Sequence, residues 1–194
     1  MNELKTLAEN LKQTTAQEHE RMELLMGKAE VFANKDNYIQ FTLSQYYFQL
    51  IIEHLFTYPE VKNVVKDLDQ RGRSKAVLDD LADFCVKPQV ANIVETIPTI
   101  TPLEALGWIY VSEGSTLGAA FLFKLAQSEF GFSAEYGARN LAAYPDGRMI
   151  VWRRFKEALN EQNYSDSEQQ EVIKGAMDGF KYYGELLESL KTLR

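Results

Sequence analysis

The chain has 194 residues, of which 45% are hydrophobic and 25% charged, a composition ordinary for one globular domain with a substantial core. Its formal net charge of −7 argues against nucleic-acid binding, which needs a basic surface to neutralise phosphates. The single cysteine, Cys85, excludes a disulfide framework and a thiolate metal cluster. No run approaches the roughly 20 apolar residues of a membrane span. We expect a cytoplasmic protein that binds neither nucleic acid nor membrane.

Apolar residues recur every three to four positions along almost the whole sequence, a spacing that predicts helices. Runs typical of strands, such as 93–97, are short and isolated. There is no linker or internal repeat, so we predict an all-α fold, a single-domain helical bundle spanning residues 1–194. In chain order the predicted elements are a helix with an apolar stripe from Leu4 to Met26, a helix from Asn34 to Pro59, shorter helices at 60–70 and 74–86, a helix from Thr101 towards Gly131, a helix at 148–161 and a last helix from Ser165 to about 192.

Local signals mark several element boundaries. Thr101-Pro102-Leu103-Glu104 combines a capping threonine, a proline at the first helical position and a glutamate three residues after the cap. Ser165 and Glu168 form a second capping box. Tyr144-Pro145-Asp146-Gly147 predicts a turn. We interpret the charged break Arg71-Gly72-Arg73-Ser74 as a solvated turn rather than a binding site.

Two glycines, Gly114 and Gly118, lie inside the predicted helix that begins at Thr101. Each costs about 0.8–1 kcal/mol relative to alanine in a helix interior. They are four residues apart, so they share one helix face and expose its backbone. Two interpretations are open at this point. In the first, the glycines allow close packing against another helix or a bend that lets the helix follow a curved core. In the second, the bare face lets a large flat ligand approach the main chain.

His19 lies on the apolar stripe of the first helix, where a lone histidine is often a hydrogen-bonded core residue. Its neighbours favour another role. Glu23, one turn later, could accept the Nδ1 proton and leave Nε2 free for a metal. Lys12 lies two turns earlier on the same face, about 10 Å along the helix axis. A ligand histidine, an orienting carboxylate and an anion-binding lysine suit a haem with its propionates.

The second histidine, His54, has no such setting, and we interpret it as structural or exposed. Neither histidine has a glutamate three residues earlier, because Ala16 and Ile51 occupy those positions, so the sequence lacks the Glu-x-x-His pairs of di-iron bundles. With His19 as the proximal ligand, the glycine helix becomes the distal wall. That helix carries no histidine of the kind a peroxidase uses. A close backbone wall would direct O₂ towards the macrocycle, with Ser115 and held water supplying protons.

The chain resembles the heme oxygenase family, specifically its bacterial biliverdin-producing members, over roughly residues 8–190. The resemblance rests on two motifs, Leu11-Lys12-x-x-Thr15-Ala16-x-x-His19-Glu20-x-x-Glu23 and Tyr110-Val111-x-Glu113-Gly114-Ser115-x-Leu117-Gly118. It implies that His19 is the proximal iron ligand and that Glu23 contacts its imidazole. It implies that Lys12 and Tyr110 contact a propionate and that Arg153 or Lys156 completes that contact. Gly114 and Gly118 would be the distal-helix glycines, and Tyr182 would lie at the haem edge. Ser115 stands where animal-type members have an aspartate and bacterial members commonly have serine, which leaves open the groups that anchor the proton-delivering water.

The resemblance also implies the reaction. Haem (iron protoporphyrin IX, both cofactor and substrate) would be cleaved with O₂ to biliverdin, carbon monoxide and free iron, usually at the α meso carbon. Because the sequence has no flavin or nicotinamide motif, electrons would come from a separate ferredoxin or NADPH-dependent reductase. Two alternatives remain: a non-catalytic haem-storage protein, and a thiaminase-like helical hydrolase with Cys85 as nucleophile. We interpret Cys85 as a buried structural cysteine, since its sequence neighbours offer no activating partner.

Overall fold

Helices account for nearly all the regular structure. The computed structural model describes residues 5–89, 97 and 99–189. These residues form eight α-helices and two short 3₁₀ helices, Leu68–Gln70 and Arg139–Leu141, with isolated bridges from Ser133 to Tyr136 and Gly137 but no strand. The predicted all-α class is confirmed. The α-helices are α1 (Leu7–Thr14), α2 (Ala16–Lys28), α3 (Lys35–Leu55), α4 (Pro59–Val64), α5 (Ser74–Asp83), α6 (Pro102–Phe130), α7 (Arg148–Asn160) and α8 (Asp166–Glu188).

Side-chain caps fix where the longest helices begin and end. The Thr101 hydroxyl accepts a hydrogen bond from the Glu104 amide at 3.2 Å, and the Glu104 carboxylate accepts one from the Thr101 amide at 2.9 Å. Ser165 and Glu168 form the same reciprocal pair at the start of α8. Both predicted helix starts are therefore confirmed. α6 ends at Gly131, whose φ of +70° is a left-handed conformation that glycine adopts without steric cost.

The predicted amino-terminal helix is interrupted at Thr15, where the structure has two helices instead of one. Thr15 is fully buried, and its backbone departs from helical geometry at φ −92° and ψ 4°. Its hydroxyl donates to the Leu11 carbonyl at 2.8 Å, a local bond that competes with the helix ladder. Lys12 and His19 therefore lie on different helices, α1 and α2, rather than on one continuous face.

α6 packs against α3, α4, α7 and α8, and its backbone comes closest to that of α8. A Cβ added to Gly107 of α6 would lie 2.1 Å from the Val172 carbonyl oxygen. One added to Gly175 of α8 would lie 2.0 Å from the Glu104 carbonyl oxygen. Because the obstacles are main-chain atoms, this α6–α8 crossing accepts only glycine at both positions.

The charged break at 71–74 is not a solvated turn, which corrects the sequence interpretation. Arg71 is only 1% exposed. Its guanidinium is buried because carboxylates of Asp67 and Glu113 pair with it at 2.7 Å and 2.6 Å. Glu113 is 42 residues away, so short-range sequence patterns gave no sign of this contact.

Cys85 is exposed, which corrects the prediction of a buried cysteine. α5 ends at Asp83, and Cys85 follows it with a φ of +57°, so the chain turns outward there. The predicted helix at 60–70 is also shorter, since only α4 and Leu68–Gln70 are helical.

The turn before α7 is confirmed by the 2.8 Å hydrogen bond from the Gly147 amide to the Tyr144 carbonyl. Two predictions fall partly outside the described residues: the strand-like run at 93–97, apart from residue 97, and the last helix beyond residue 189. No helix in the described part of the chain is long and apolar enough to cross a membrane.

Candidate functional site

A cavity of about 560 Å³ lies between the amino-terminal helices, α6 and α7. Its volume is within the range of small-molecule binding sites. The structure brings six of the residues singled out from the sequence to this one cavity: Lys12, His19, Tyr110, Gly114, Arg153 and Lys156. The cavity is also lined by Leu117, which the sequence analysis named in a motif without giving it a role, and by Trp152 and Asn160, which it missed.

The imidazole of His19 is exposed to the cavity, and Phe180 of α8 supports it from the side. The two rings meet edge to face with centroids 5.1 Å apart. Phe180 is itself 4% exposed, and its carbonyl accepts a 3.2 Å hydrogen bond from Arg21 of α2. Glu23 is exposed, and in the described part of the chain no hydrogen bond joins it to His19. In this structure the imidazole packs on the Phe180 ring.

Three cationic side chains face the cavity, and two of them have no carboxylate partner among the described residues. Arg153 forms only a long, exposed pair with Glu157, at 3.8 Å, of the kind that contributes little to stability. Lys156 lies over the Trp152 ring, 5.6 Å from its centroid, and Lys12 is exposed at the end of α1. Two carboxylates, Glu9 and Glu157, also line the cavity, so the three cations leave a surplus of one positive charge, which favours ligands that carry carboxylates.

Aromatic side chains form the wall where α6 faces α7. Tyr110 is 4% exposed, and its ring lies 5.2 Å from that of Trp152. Burial raises the pKa of Tyr110, against a smaller opposite effect of its hydrogen bond with Thr15. A Cβ added to Gly114 would lie 3.5 Å from Cη2 of Trp152, an ordinary contact with a side chain. Gly114 therefore faces an aromatic ring and the cavity, not the backbone of another helix.

Four predicted site residues do not line this cavity, and Glu23, described above, is one of them. Gly118 is exposed, with nothing within 4 Å of an added Cβ. Ser115 is also exposed, and its hydroxyl donates to the Ser112 carbonyl at 2.6 Å. Tyr182 is half-buried against Trp108, with ring centroids 5.6 Å apart. The close packing that was an alternative explanation for the glycine pair occurs instead at the α6–α8 crossing.

A buried ionic network lies behind the glycine segment of α6, defined here as residues 113–118. Arg71 and Glu113 pair at 2.6 Å, and both side chains are 1% exposed. The Arg71 guanidinium also donates two hydrogen bonds to the carboxylate oxygens of Asp67, at 2.7 Å and 3.0 Å. The Tyr144 hydroxyl donates to Glu113 at 3.1 Å, and burial raises the pKa of Tyr144 to about 12. This network fixes the residue immediately before Gly114.

Other metal or nucleophile chemistry has little support in the described part of the chain. No group of three or more histidine, cysteine or acidic side chains is arranged to hold a metal there. His54 is exposed and packs edge to face on Tyr58 at 5.8 Å, as the sequence interpretation expected. Cys85 does not line the cavity. His19 is therefore the one imidazole at the cavity, which suits a metal that arrives already held by a macrocycle.

Comparison with solved structures identifies the class of protein. The NO- and CO-bound heme oxygenase from Neisseria meningitidis is 36% identical and superposes with a TM-score of 0.90, covering 98% of this chain and 94% of that chain. The heme oxygenase from Leptospira interrogans, at 21% identity, shares the fold with a TM-score of 0.75 over 95% of this chain and 100% of that one. The fold is that of the heme oxygenases.

Sequence comparison agrees over almost the whole chain. The profile of the heme oxygenase family matches residues 5–189. Heme oxygenase PigA from Pseudomonas aeruginosa is 36% identical over 181 residues, which are 93% of this chain and 91% of that protein. The chain belongs to the heme oxygenase family of oxidoreductases, whose members bind haem as substrate. The predicted family, fold class and enzyme class are confirmed.

Proposed function

We propose that the cavity between α1, α2, α6 and α7 binds iron protoporphyrin IX, and that the protein cleaves it with O₂ to biliverdin, carbon monoxide and free iron. The observation that carries this proposal is the placement of His19 and Gly114, from two different helices, at one cavity. His19 offers an imidazole as a metal ligand, and Gly114 exposes main-chain atoms because it has no side chain. The haem would supply the iron centre at which O₂ reacts.

His19 would ligate the iron through its imidazole. The ring is exposed to the cavity and held edge to face by the buried Phe180, so its plane is set before a ligand binds. An orientation fixed in advance lowers the entropic cost of binding. Glu23 is one turn away on the same helix and remains a candidate partner for the imidazole when haem is bound.

The propionates would lie on the cationic side of the cavity. Lys12 and Lys156 have no carboxylate partner among the described residues, and the Arg153–Glu157 pair is exposed and easily exchanged. Charge-assisted hydrogen bonds from these groups to carboxylates are roughly twice as strong as neutral ones. Tyr110 lines the same cavity, and its hydroxyl would donate a further hydrogen bond to a propionate.

The glycine segment of α6 would form the distal wall. Gly114 exposes backbone at the cavity, and Gly118 extends that bare face by one turn. The Ser115 hydroxyl already donates its proton to the Ser112 carbonyl, which leaves its oxygen free to accept a hydrogen bond from water. No histidine lies on α6, so the wall lacks the acid–base side chain typical of a peroxidase. Tyr182 is left out of the proposed site.

Electrons would come from a separate ferredoxin or NADPH-dependent reductase, since the sequence carries no flavin or nicotinamide motif. We expect this donor to dock where Lys12, Arg153 and Lys156 surround the cavity. With a single cysteine and therefore no internal disulfide, the chain suits a reducing cytoplasm.

The reaction is tested by adding haem and then a reductant in air. We expect the Soret band to disappear and a broad red absorbance of biliverdin to develop, with carbon monoxide released. Separation of the bilin isomers by chromatography then identifies the meso carbon attacked, which we expect to be α. A Soret band that persists unchanged would instead identify a haem-storage protein.

A further inference from the structure

Two arginines from other elements hold backbone carbonyls on either side of Gly114. Nη2 of Arg73, in the loop before α5, donates to the Ser112 carbonyl at 3.0 Å. Nη1 of Arg148, the first residue of α7, donates to the Thr116 carbonyl at 2.8 Å. These carbonyls are four residues apart, so they lie one above the other along the same side of α6. The turn of helix that contains Gly114 is therefore held at both ends.

The same turn has side-chain hydroxyls bonded to its own backbone. Ser115 donates to the Ser112 carbonyl at 2.6 Å, and Thr116 donates to the Glu113 carbonyl at 2.6 Å. A carbonyl oxygen has two lone pairs, so at Ser112 the arginine and the hydroxyl compete with the regular helix amide. Side chains that insert into the hydrogen-bond ladder bend helices and shift them from ideal geometry. α6 nevertheless remains a continuous α-helix through this turn, where the Ser112 carbonyl accepts from both Arg73 and Ser115.

Each arginine donates a second hydrogen bond, Arg73 to the side chain of Ser112 and Arg148 to a residue outside α6. Nη2 of Arg73 reaches the Ser112 hydroxyl at 2.8 Å, which in turn accepts a hydrogen bond from Gln49 of α3 at 3.0 Å. Nη2 of Arg148 donates to the Leu141 carbonyl at 2.6 Å. Among the described residues neither guanidinium pairs with a carboxylate. Burial lowers the pKa of Arg148, and the neighbouring positive charge of Arg73 lowers it further. Two like charges are therefore held close together with backbone carbonyls as their main acceptors.

We infer that Arg73 and Arg148 are positioning residues that fix the Ser112–Thr116 turn of α6, and with it the place of Gly114 at the cavity. The consequence for catalysis rests on the proposed function. Displacement of a reacting group by about 1 Å can cost up to roughly a hundredfold in rate, so a freed turn would slow haem cleavage or spread it over several meso carbons.

The position of Gly114 is measured first in the ligand-free protein, using Arg73→Gln and Arg148→Gln. Gly114 faces the Trp152 ring, so one of its Hα protons carries a ring-current shift and a cross-relaxation peak to that ring. We expect both signals to be lost or strongly reduced in each variant. Lys75→Gln is the matched control: it removes one positive charge two residues from Arg73, but Lys75 is exposed on α5 and pairs only with the carboxylate of Asp79. It should keep both signals.

The second arm compares bilin formation by the haem-loaded variants. We expect the rate to fall by about tenfold or more, or the isomer ratio to broaden, in Arg73→Gln and Arg148→Gln, while Lys75→Gln behaves as the wild type. If Arg148→Gln does not fold, Arg148→Lys retains the charge, but its single nitrogen cannot reach both carbonyls. We expect a smaller change in the rate and the isomer ratio in the same direction.

Unchanged Gly114 signals in both arginine variants would overturn the inference. The two proposals fail separately. If the wild type makes no bilin, the proposed function is wrong, and the spectrum of the ligand-free protein still decides whether the arginines position the turn.

Discussion

Two pairs of glycines, one across the α6–α8 crossing and one within α6, have different surroundings in this molecule. At the α6–α8 crossing, Cβ atoms on Gly107 and Gly175 would lie 2.1 Å and 2.0 Å from main-chain oxygens. In the glycine segment, a Cβ on Gly114 would meet only the Trp152 ring at 3.5 Å, and one on Gly118 would meet nothing within 4 Å. The first pair lets two backbones pack, whereas the second leaves backbone open, with Gly114 at the cavity and Gly118 one turn further along α6.

The role of a glycine inside a helix therefore depends on the atoms that surround it. Every glycine inside a helix has a similar cost in propensity. At the crossing that cost is offset by direct contact between two helices. In the glycine segment no such contact exists, and the segment is instead held from behind by charged and polar side chains such as Arg71 and Arg148. Helix packing does not account for the second pair; under the proposed function, a ligand that approaches the main chain does.

The largest effect is expected at the crossing, from Gly175→Ala. The new methyl would overlap the Glu104 carbonyl, and backbone cannot move aside as a flexible side chain can. We expect the free energy of unfolding to fall by about 3 kcal/mol or more, the upper end of the range for overpacking. Urea denaturation measures it. Gly27→Ala is the control, because nothing lies within 4 Å of its added Cβ. Equal stability of the two variants would contradict the packing role of Gly175.

The opposite result is expected in the glycine segment, from Gly118→Leu. The side chain has open space, so the free energy of unfolding should be unchanged or rise by up to about 1 kcal/mol as a helix-breaking glycine is removed. Bilin formation should nevertheless fall by about tenfold or more, equivalent to about 1.4 kcal/mol in the barrier, because the side chain obstructs the bound macrocycle.

Gly118→Ala separates these two effects. The smaller side chain should give the same gain in stability with a weaker loss of bilin formation. If Gly118→Leu formed biliverdin at the wild-type rate, the open face of α6 would have no role in haem cleavage.

The two regions should also differ, by a smaller amount, in how their contributions to the free energy of unfolding depend on pH. Burial alone would raise the pKa of Asp67, but hydrogen bonds from Arg71 and Arg154 outweigh it and hold the pKa below its ordinary value. A carboxylate with a lowered pKa in the folded state stabilises the fold above its unfolded pKa of about 3.9, and this contribution is lost as the pH falls through the lower folded value. The network behind the glycine segment should therefore weaken in acid, while the α6–α8 crossing, which depends on main-chain contact, should not.

We expect Asp67→Asn to flatten the fall of unfolding free energy below about pH 4 relative to the wild type. Asp79→Asn is the matched control, because Asp79 forms an exposed pair with Lys75 that contributes little. The pH profiles come from denaturation series. Parallel curves for the wild type and Asp67→Asn would show that the network does not stabilise the fold through Asp67.

Much of the fold follows from local signals in the sequence. The capping boxes at Thr101 and Ser165 locate the starts of α6 and α8, because their hydrogen bonds join residues only three apart. The grouping of Lys12, His19 and Gly114 followed from two motifs. Trp152 was within reach too, since it lies four residues before Lys156 on a predicted helix.

What could not be predicted depends on contacts between residues distant in sequence. Arg71 sits in a charged turn-like segment and is buried only because Glu113 meets it from 42 residues away. The break at Thr15 arises from a hydroxyl that bonds to the preceding turn in a fully buried setting, which the apolar stripe does not reveal. The difference between packing glycines and open glycines likewise requires knowledge of the facing helix.

The central claim is that His19 binds the iron of a haem lying against the glycine segment. It is tested most directly by titrating haem into the wild type and His19→Ala and recording the ferric absorption spectrum. We predict that His19→Ala folds normally, because the imidazole is exposed, but loses the wild-type spectrum, and that added imidazole restores it. The same spectrum and the same affinity in both proteins would contradict the assignment of His19 as the ligand.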